Sequence, residues 1–247
     1  AAFKFPGRED VPLFWRYIGV YEDLLIAGAA PTLPWTKSHG VDAGELASRF
    51  AEGSAQLVVM DRHSGKVLWQ RKAEFNFRHN AICAGGGKVF CIDRMTELRL
   101  ALLRRRGITP KGEPTLYALD AKTGDIVWKT SKDVFGTWLS YSADHKMLIQ
   151  ATANYRDRAR YEPGTGLAAY RVGNGKVVWQ SNEGYGGPVL VSADRIITQG
   201  TAYNLLTGEE ATRDDPLTGH AQPWRFTRNY GCNTAIGCPN LLTFRSA

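Results

Sequence analysis

The side chains that could do chemistry are scattered along this chain rather than grouped. Its five histidines are far apart, and acids such as Asp93, Asp144 and Asp194 lie near the ends of apolar segments or in turns. The sequence contains no His-Glu-x-x-His zinc motif, no phosphate-binding loop ahead of a helix and no Gly-x-Ser-x-Gly nucleophile motif. We therefore predict no catalytic residue, no cofactor-binding residue and no metal ligand.

The four cysteines form two close pairs, which is too few for a disulfide-rich scaffold. Cys83 and Cys91 flank a glycine-rich turn that could place them opposite each other on neighbouring strands, and Cys232 and Cys238 enclose a short loop that could close. Neither pair has the C-x-x-C spacing of a zinc or redox site. Two disulfides and four buried thiols are both compatible with this spacing.

A run of three arginines, Arg104, Arg105 and Arg106, is the densest charge in the sequence. It lies in residues 94–114, a segment with six basic and two acidic residues. Such a cluster could bind an acidic protein surface or an acidic glycan. A solvated, arginine-rich helix is the simpler alternative.

The elements that must position these groups are repeats. Leu116 to Trp128 reads LYALDAKTGDIVW, which predicts two half-buried strands joined by a polar turn, because β-branched and aromatic residues fill the pleated surface of a strand. Similar segments occur at Leu57 to Trp69 and Leu167 to Trp179, and a decayed copy without tryptophan occurs at Thr201 to Thr212. The spacing slightly exceeds the ~40 to 50 residues of a propeller blade, so we expect insertions.

The turn within each repeat has its own chemistry. Asp120 can accept backbone N–H bonds at the first corner, and Gly124 supplies the positive φ needed at the last. We therefore interpret Asp120 as a turn brace rather than a catalyst.

Composition and charge narrow the classes of function that the chain could have. The net charge is +7, from 31 basic and 24 acidic residues, which is an ordinary margin for solubility. Nucleic-acid binding is not predicted, because the tryptophans occupy repeat positions typical of packing. No run approaches the ~18 apolar residues of a membrane span, and residues 1–10 lack the order of a signal peptide. The first residue is not methionine and an apolar run ends the chain, so we expect a piece of a longer protein.

The repeats resemble those of β-propellers named after pyrroloquinoline quinone, whose motif is Ala, Asp two residues on, Thr-Gly, and Trp. The middle copy matches throughout, whereas the other two depart from the motif, most clearly where Arg171 replaces the acid. The matching residues are Ala118, Asp120, Thr123, Gly124 and Trp128 in the middle copy, Asp61, Gly65 and Trp69 in the first, and Ala169, Gly175 and Trp179 in the third.

The resemblance implies an all-β fold of four-stranded antiparallel blades, with each tryptophan docking between neighbouring blades. Full rings of the family usually have eight blades, so we expect residues 1–247 to form one propeller segment, an open arc of about four to five blades. The remaining blades of the parent ring would be its first partners. Insertions are expected at residues 29–55, 94–114 and 152–166, all between the second and third strands of a blade. The resemblance also implies an exported, periplasmic or extracellular protein.

Three functions follow as hypotheses. The first is a non-catalytic scaffold for binding or assembly, since the repeats account for the tryptophans and leave no catalytic group over. The second is part of a quinone-dependent dehydrogenase with calcium, although the adjacent cysteines of those enzymes do not occur here. The third is an extracellular propeller that binds or cleaves polysaccharide.

Overall fold

The chain is built of antiparallel strands. The computed structural model describes residues 13–31, 53–152, 165–225, 236–238 and 241–243. Within these ranges there is one α-helix, so the predicted all-β class is confirmed. Contacts divide the chain into two compact units, Ala1–Val134 and Phe135–Ala247.

The first unit contains one seven-stranded sheet in which the strands follow chain order. Its elements are β1 (Leu13–Tyr21), β2 (Leu24–Pro31), β3 (Gly53–Asp61), β4 (Val67–Gly85), β5 (Lys88–Asp93), helix α1 (Glu97–Arg105), β6 (Thr115–Asp120) and β7 (Ile126–Thr130). The sheet comprises two blades that share one strand. The first half of β4 pairs with β3 and its second half pairs with β5.

The bend in β4 marks the passage from one blade to the next. Gly53 of β3 pairs with Arg78, whereas Asp93 of β5 pairs with the adjacent Phe77, and the β4–β5 register shifts between Phe77 and Ile82. A cluster of buried apolar side chains from both blades lies against this strand, including Leu57, Phe77 and Cys91. The two blades of this unit therefore share one core.

The described residues of the second unit form one complete four-stranded blade and three smaller sheets. Its strands are β8 (Trp138–Ser142), β9 (Met147–Ala151), β10 (Thr165–Arg171), β11 (Val177–Gly184), β12 (Leu190–Ser192), β13 (Arg195–Ile197), β14 (Ala202–Asn204), β15 (Thr212–Asp214), β16 (Ala221–Pro223), β17 (Ile236–Cys238) and β18 (Leu241–Thr243). Strands β8 to β11 form the complete blade. Strands β12 to β14 form three-quarters of another, and the bridge from Tyr203 to Glu210 starts its fourth strand.

The repeat turns have the bracing expected from the sequence. The Asp120 carboxylate accepts hydrogen bonds from the amides of Lys122 and Thr123, both at 2.9 Å, and these bonds hold the pKa of Asp120 below its usual value. Asp61 and Asn204 accept equivalent bonds in their own copies. In the third copy, where Arg171 replaces the acid, the turn is closed by backbone bonds, among them those from Gly175 to Arg171 at 2.8 Å and from Arg171 to Lys176 at 2.9 Å.

The first motif tryptophan lies against the turn of the next repeat. Trp69 is 8% exposed, and its indole Nε1 donates a 2.9 Å hydrogen bond to the carbonyl oxygen of Ala121. Gly124 has a φ of +76°, and a Cβ built on it would lie 2.6 Å from the indole ring. The absence of a side chain at Gly124 thus makes room for the ring.

Trp179 repeats this arrangement in the second unit. Its Nε1 donates to the carbonyl oxygen of Leu205 at 2.9 Å, and its ring lies 2.5 Å from the Cβ position of Gly208. Trp128 is half-buried, and its ring centre lies 6.1 Å from that of Phe90. The motif positions Val59, Ala118 and Ala169 pair across the ladder with the tryptophan of their own copy.

The cysteine pair in the first unit is not bridged. Cys83 pairs with Phe90, and Cys91 pairs with Ile82, so a one-residue offset places the two thiols on opposite faces of the sheet. Of the two alternatives compatible with the spacing, the structure has free thiols at Cys83 and Cys91 rather than a disulfide. Burial raises the pKa of the Cys83 thiol to about 12 and that of Cys91 further. Cys232 lies outside the described residues, as does the side chain of Cys238.

Two of the three predicted insertions are only partly described. Residues 32–52 of the first and 153–164 of the third lie outside the described residues, whereas the second, 94–114, contains α1. In the strand order, each insertion connects the second and third strands of its blade. Over the part of the chain that the structure describes, no helix is long and apolar enough to cross a membrane.

Replacement of Gly124 by alanine tests the contact between the turn and the indole. The new Cβ would displace Trp69 and also hold alanine at positive φ, so we expect a loss of about 3 kcal/mol or more in the free energy of unfolding. Gly107 is a matched control, because its φ is +69° and no described atom lies within 4 Å of its Cβ position. Gly107→Ala should cost only about 1 to 2 kcal/mol by urea unfolding. Equal losses in the two variants would contradict a role for the indole contact.

Candidate functional site

Several buried polar side chains of the first unit, among them Ser54, Arg78, Asp93 and Arg94, lie where the insertions leave the sheet. The first insertion ends at Gly53 and the second begins after Asp93, and these two residues pair with the neighbouring positions Arg78 and Phe77 of β4. We call this region the insertion end of the first unit; it comprises residues 15–17, 53–54, 74–79 and 93–106. The strand register therefore brings two separate loops to one place.

Asp93 is the buried acid of the insertion end. It is 2% exposed, and its carboxylate accepts hydrogen bonds from the backbone amides of Glu74 at 2.6 Å and Phe75 at 2.9 Å. Burial raises the pKa of Asp93, and the backbone bonds oppose that shift. The adjacent amide of Arg94 donates to the carbonyl oxygen of Asn76 at 3.0 Å. Asp93 thus fixes the bend in β4.

Helix α1 extends from this anchored position. The side chain of Arg94 is 5% exposed and forms an ion pair with Glu97 in the first turn of the helix. The helix ends at Arg105; beyond it, the amide of Gly107 donates to the carbonyl oxygen of Arg104 at 3.0 Å, and the amide of Ile108 donates to that of Leu103 at 2.9 Å. The start of the helix is therefore anchored to β4, and its last turn is capped by backbone hydrogen bonds.

The arginine run predicted from the sequence lies at the end of α1. Arg104, Arg105 and Arg106 are all exposed. Two of them occupy the last helical turn, where positive charge complements the carbonyl end of the helix dipole. Their guanidinium groups thus form a cationic cluster that solvent and other molecules can reach.

A serine and a histidine meet at the same end of the sheet. Ser54 Oγ lies 3.0 Å from His79 Nε2, and the ring of Tyr17 stacks on His79 with centres 6.4 Å apart. Gly28 makes room for the serine, because a Cβ there would lie 2.2 Å from Ser54 Oγ. Burial, with Arg78 and Arg16 nearby, lowers the pKa of His79 to about 4, so the ring is neutral at pH 7.

This pair has the spacing of a nucleophile and its base, but not the accessibility. Ser54 is fully buried, and among the described residues no acid contacts the ring of His79 to orient it. The arrangement therefore stabilises the start of β3 rather than attacking a substrate. Sequence reasoning missed the pair, because the two residues are 25 positions apart and belong to no motif.

The third insertion is closed by a tyrosine in the second unit. The hydroxyl of Tyr185 donates to the carbonyl oxygen of Gly166 at 2.8 Å and accepts from the amide of Thr152 at 2.7 Å. Burial raises the pKa of Tyr185 to about 12, so it stays protonated. Thr152 and Gly166 are the two ends of the insertion, and the Tyr185 hydroxyl forms a hydrogen bond with each of them.

The described residues offer a binding surface more readily than a reaction centre. They bring together no group of three or more His, Cys, Asp or Glu side chains able to hold a metal ion. A hollow of about 210 Å³ on β1 and β2 is lined by Trp15, Ile18, Leu25 and Ala27 and has no polar side chain in its lining. Among the residues of the insertion end whose exposure is described, the exposed charged side chains are those of Glu74 and of the arginine cluster, so the accessible charge is mainly positive.

The pKa of His79 predicts how stability depends on pH. The folded protein keeps the ring neutral down to about pH 4, whereas the unfolded chain takes up a proton near pH 6.5. Stability should be complete above pH 6.5 and fall by up to about 3 kcal/mol as the pH drops to 4, because each pKa unit corresponds to about 1.4 kcal/mol.

Urea unfolding of the His79→Gln variant at several pH values measures this effect. We expect a weaker pH dependence than in the parent between about pH 7 and pH 4. His220→Gln, at an exposed position, is the control and should behave like the parent. An unchanged acid dependence in the His79 variant would show that other groups cause it.

Comparison with known proteins identifies the repeats. A family model described as outer membrane protein assembly factor BamB matches residues 13–180 and, in an overlapping match, residues 99–225. No curated protein matches the chain.

Several solved structures are similar. BamB from Moraxella catarrhalis is 17% identical, with a TM-score of 0.47 over 78% of this chain and 46% of that one. A quinohemoprotein alcohol dehydrogenase from Pseudomonas putida is 12% identical, with a TM-score of 0.44 over 83% of this chain and 36% of that one. A europium-containing methanol dehydrogenase is 14% identical, with a TM-score of 0.44 over 86% of this chain and 49% of that one.

The chain therefore spans half or less of the length of these three structures. The two family matches together extend from residue 13 to residue 225 and cover most of the sequence, including all three tryptophan repeats. The chain belongs to the PQQ-like repeat β-propeller family whose model is described as outer membrane protein assembly factor BamB.

Proposed function

We propose that this chain is a non-catalytic assembly scaffold, in which propeller blades present the arginine cluster of α1 to an acidic surface of a protein partner. The observation that carries the proposal is the rigid mounting of Arg104, Arg105 and Arg106. They are exposed at the end of a helix whose start is fixed to the bend in β4.

The attachment of helix α1 to the bend in β4 limits the conformational entropy that is lost on binding. Asp93 holds the bend through two backbone amides, and the adjacent Arg94 pairs with Glu97 at the start of the helix. A partner that binds the arginines therefore does not need to order the helix first. Preorganisation of this kind contributes affinity without adding contacts.

Arginine chemistry supports an acidic protein as the partner. A guanidinium group is planar and donates hydrogen bonds in pairs, which matches the geometry of a carboxylate. The net charge of +7 would also steer an acidic partner toward the chain. Side chains of Asp and Glu on a partner surface satisfy both requirements.

The use of the other polar groups supports a scaffold rather than an enzyme. Asp93 braces the bend, Ser54 and His79 bond to each other in a buried place, and Asp61 and Asp120 brace turns. Each of these groups thus has a structural task. The family description, an outer membrane protein assembly factor, favours the same function and a location outside the cytoplasm.

Salt-dependent retention on immobilised poly-glutamate tests the proposed surface. We expect the parent chain to be retained and the variant with Arg104, Arg105 and Arg106 changed to serine to elute at clearly lower salt, because fewer charges pair with the column. The control changes the exposed Lys122, Lys129 and Lys132 to serine, which removes the same charge elsewhere. Equal loss of retention in both variants would mean that only net charge matters and would overturn the site.

Stronger retention on heparin than on poly-glutamate, with the same dependence on the arginines, would favour the polysaccharide hypothesis instead.

The quinone hypothesis is the alternative from the same family. Its calcium ion needs several oxygen ligands, and the described residues contain no cluster of three or more acids, histidines or cysteines. Asp93, the buried acid, is already bound by backbone amides. The described residues therefore do not fit the quinone with calcium, and we assign them no step in its chemistry.

Adding pyrroloquinoline quinone and Ca²⁺ to the purified chain distinguishes the two functions. We expect no stoichiometric chromophore after gel filtration and no reduction of an artificial dye with alcohol substrates. A tight one-to-one complex with dye reduction would contradict the scaffold proposal.

A further inference from the structure

A fifth copy of the repeat turn lies where the sequence shows no apolar repeat. Strands β15 and β16 form a short hairpin whose turn is Asp215 to Gly219. The Asp215 carboxylate accepts bonds from the amides of Leu217 at 2.8 Å and Thr218 at 2.9 Å, and Gly219 has a φ of +70°. This is the arrangement of Asp120 and Gly124. The Asp-x-x-Thr-Gly spacing alone could have revealed it.

Two equivalent turns of this protein show what such a turn binds. In each, a tryptophan from the preceding blade donates its indole N–H to the carbonyl oxygen of the second turn residue, Ala121 or Leu205, at 2.9 Å. The indole ring then covers the glycine at the fifth position, Gly124 or Gly208. We call this combination of a carbonyl oxygen and a bare glycine a tryptophan seat.

The fifth seat is open in the described part of the chain. No atom of the described residues lies within 4 Å of the Cβ position of Gly219. Pro216, whose carbonyl takes the second position, is exposed, and Leu217 at the tip is 94% exposed. Gly124 and Gly208, in contrast, have indole carbons within 2.6 Å of the same position.

The hairpin that carries this seat is fixed at its base. Arg225 binds Glu210 with two hydrogen bonds of 2.9 and 3.2 Å, and the guanidinium of Arg195 lies 4.7 Å from the ring centre of Trp224. Trp224 also packs against a buried cluster that includes Ala202. The open turn therefore projects from the end of a hairpin whose other end is stabilised by these contacts.

We propose that residues 215–219 form a docking site for a tryptophan on an edge strand of a partner protein. The indole N–H would bond to the carbonyl oxygen of Pro216, and the ring would cover Gly219. This surface is independent of the arginine cluster proposed above.

The first repeat shows a further feature of the partner strand. Two residues after Trp69, the Nη2 atom of Arg71 donates to the carbonyl oxygen of Gly124 at 3.2 Å. Beside the open seat lie the exposed Asp214 and the ionised Asp215, whose pKa its backbone hydrogen bonds lower. A strand with tryptophan followed two positions later by arginine therefore matches the seat in shape and charge.

The chain's own segment 66–73, KVLWQRKA, supplies the probe. A fluorescein-labelled peptide of this sequence is titrated with the intact protein, and fluorescence anisotropy reports binding. We expect saturable binding of the parent peptide and at least about a tenfold loss of affinity when its tryptophan is replaced by alanine, which corresponds to about 1.4 kcal/mol.

Protein variants locate the binding. Gly219→Ala puts a methyl group where the ring would lie, so we expect at least about a fivefold weaker binding. Gly107→Ala, with similar φ and an open Cβ position, should bind as the parent does. Asp214→Asn leaves the turn intact and should weaken binding in a salt-dependent way, which keeps the proposal testable if the Gly219 variant misfolds.

Three results would overturn the proposal. The first is absence of binding by the parent protein, which would also be found if another part of the same chain filled the seat. The second is equal binding of the parent peptide and the alanine peptide. The third is parent-like binding by both the Gly219→Ala and Asp214→Asn variants. Failure of the arginine cluster on poly-glutamate would leave this site unaffected, because the two experiments measure different surfaces.

Discussion

The hydrogen bond from an indole N–H to a turn carbonyl, made over a glycine, is the contact on which the blade packing depends. An indole is large and apolar but carries one donor that must be satisfied when it is buried. The turn meets both needs of the indole: the carbonyl oxygen of its second residue accepts the hydrogen bond, and its fifth residue, a glycine, leaves room for the ring. Trp69 and Trp179 meet these requirements in the same way in two separate units. Asp120 and Asn204 brace the two turns that receive these indoles and thereby hold the carbonyl oxygen and the glycine in place.

Much of this could be predicted from the sequence because the information is local. The turn braces, the positive φ of Gly124 and the strands around each turn depend on residues within about a dozen positions of one another, and all of them occur as expected. The strand order of each blade is equally regular, since every insertion connects the second and third strands.

The remaining features could not be predicted because they depend on strand register. The separation of Cys83 from Cys91 results from a one-residue offset, which the sequence of the hairpin does not reveal. Ser54 meets His79 only because β3 pairs with β4 beyond an irregularity between Ser54 and Gln56. The same register brings Asp93 to the bend. The candidate site is thus a product of tertiary pairing, and only its arginines and the acid Asp93 were singled out from the sequence.

The continuity of β4 has a consequence for how the first unit opens. A strand of 19 residues that belongs to two blades cannot detach from one without loosening the other, because the same backbone carries both ladders. The two blades should therefore exchange their amide hydrogens as one cooperative block, with similar protection on both sides of the bend. Evolution can lengthen the loops at the insertion end freely, but a residue added to or removed from positions 74–76 would shift one ladder against the other. The most constrained part of this unit is a short stretch in the middle of one strand.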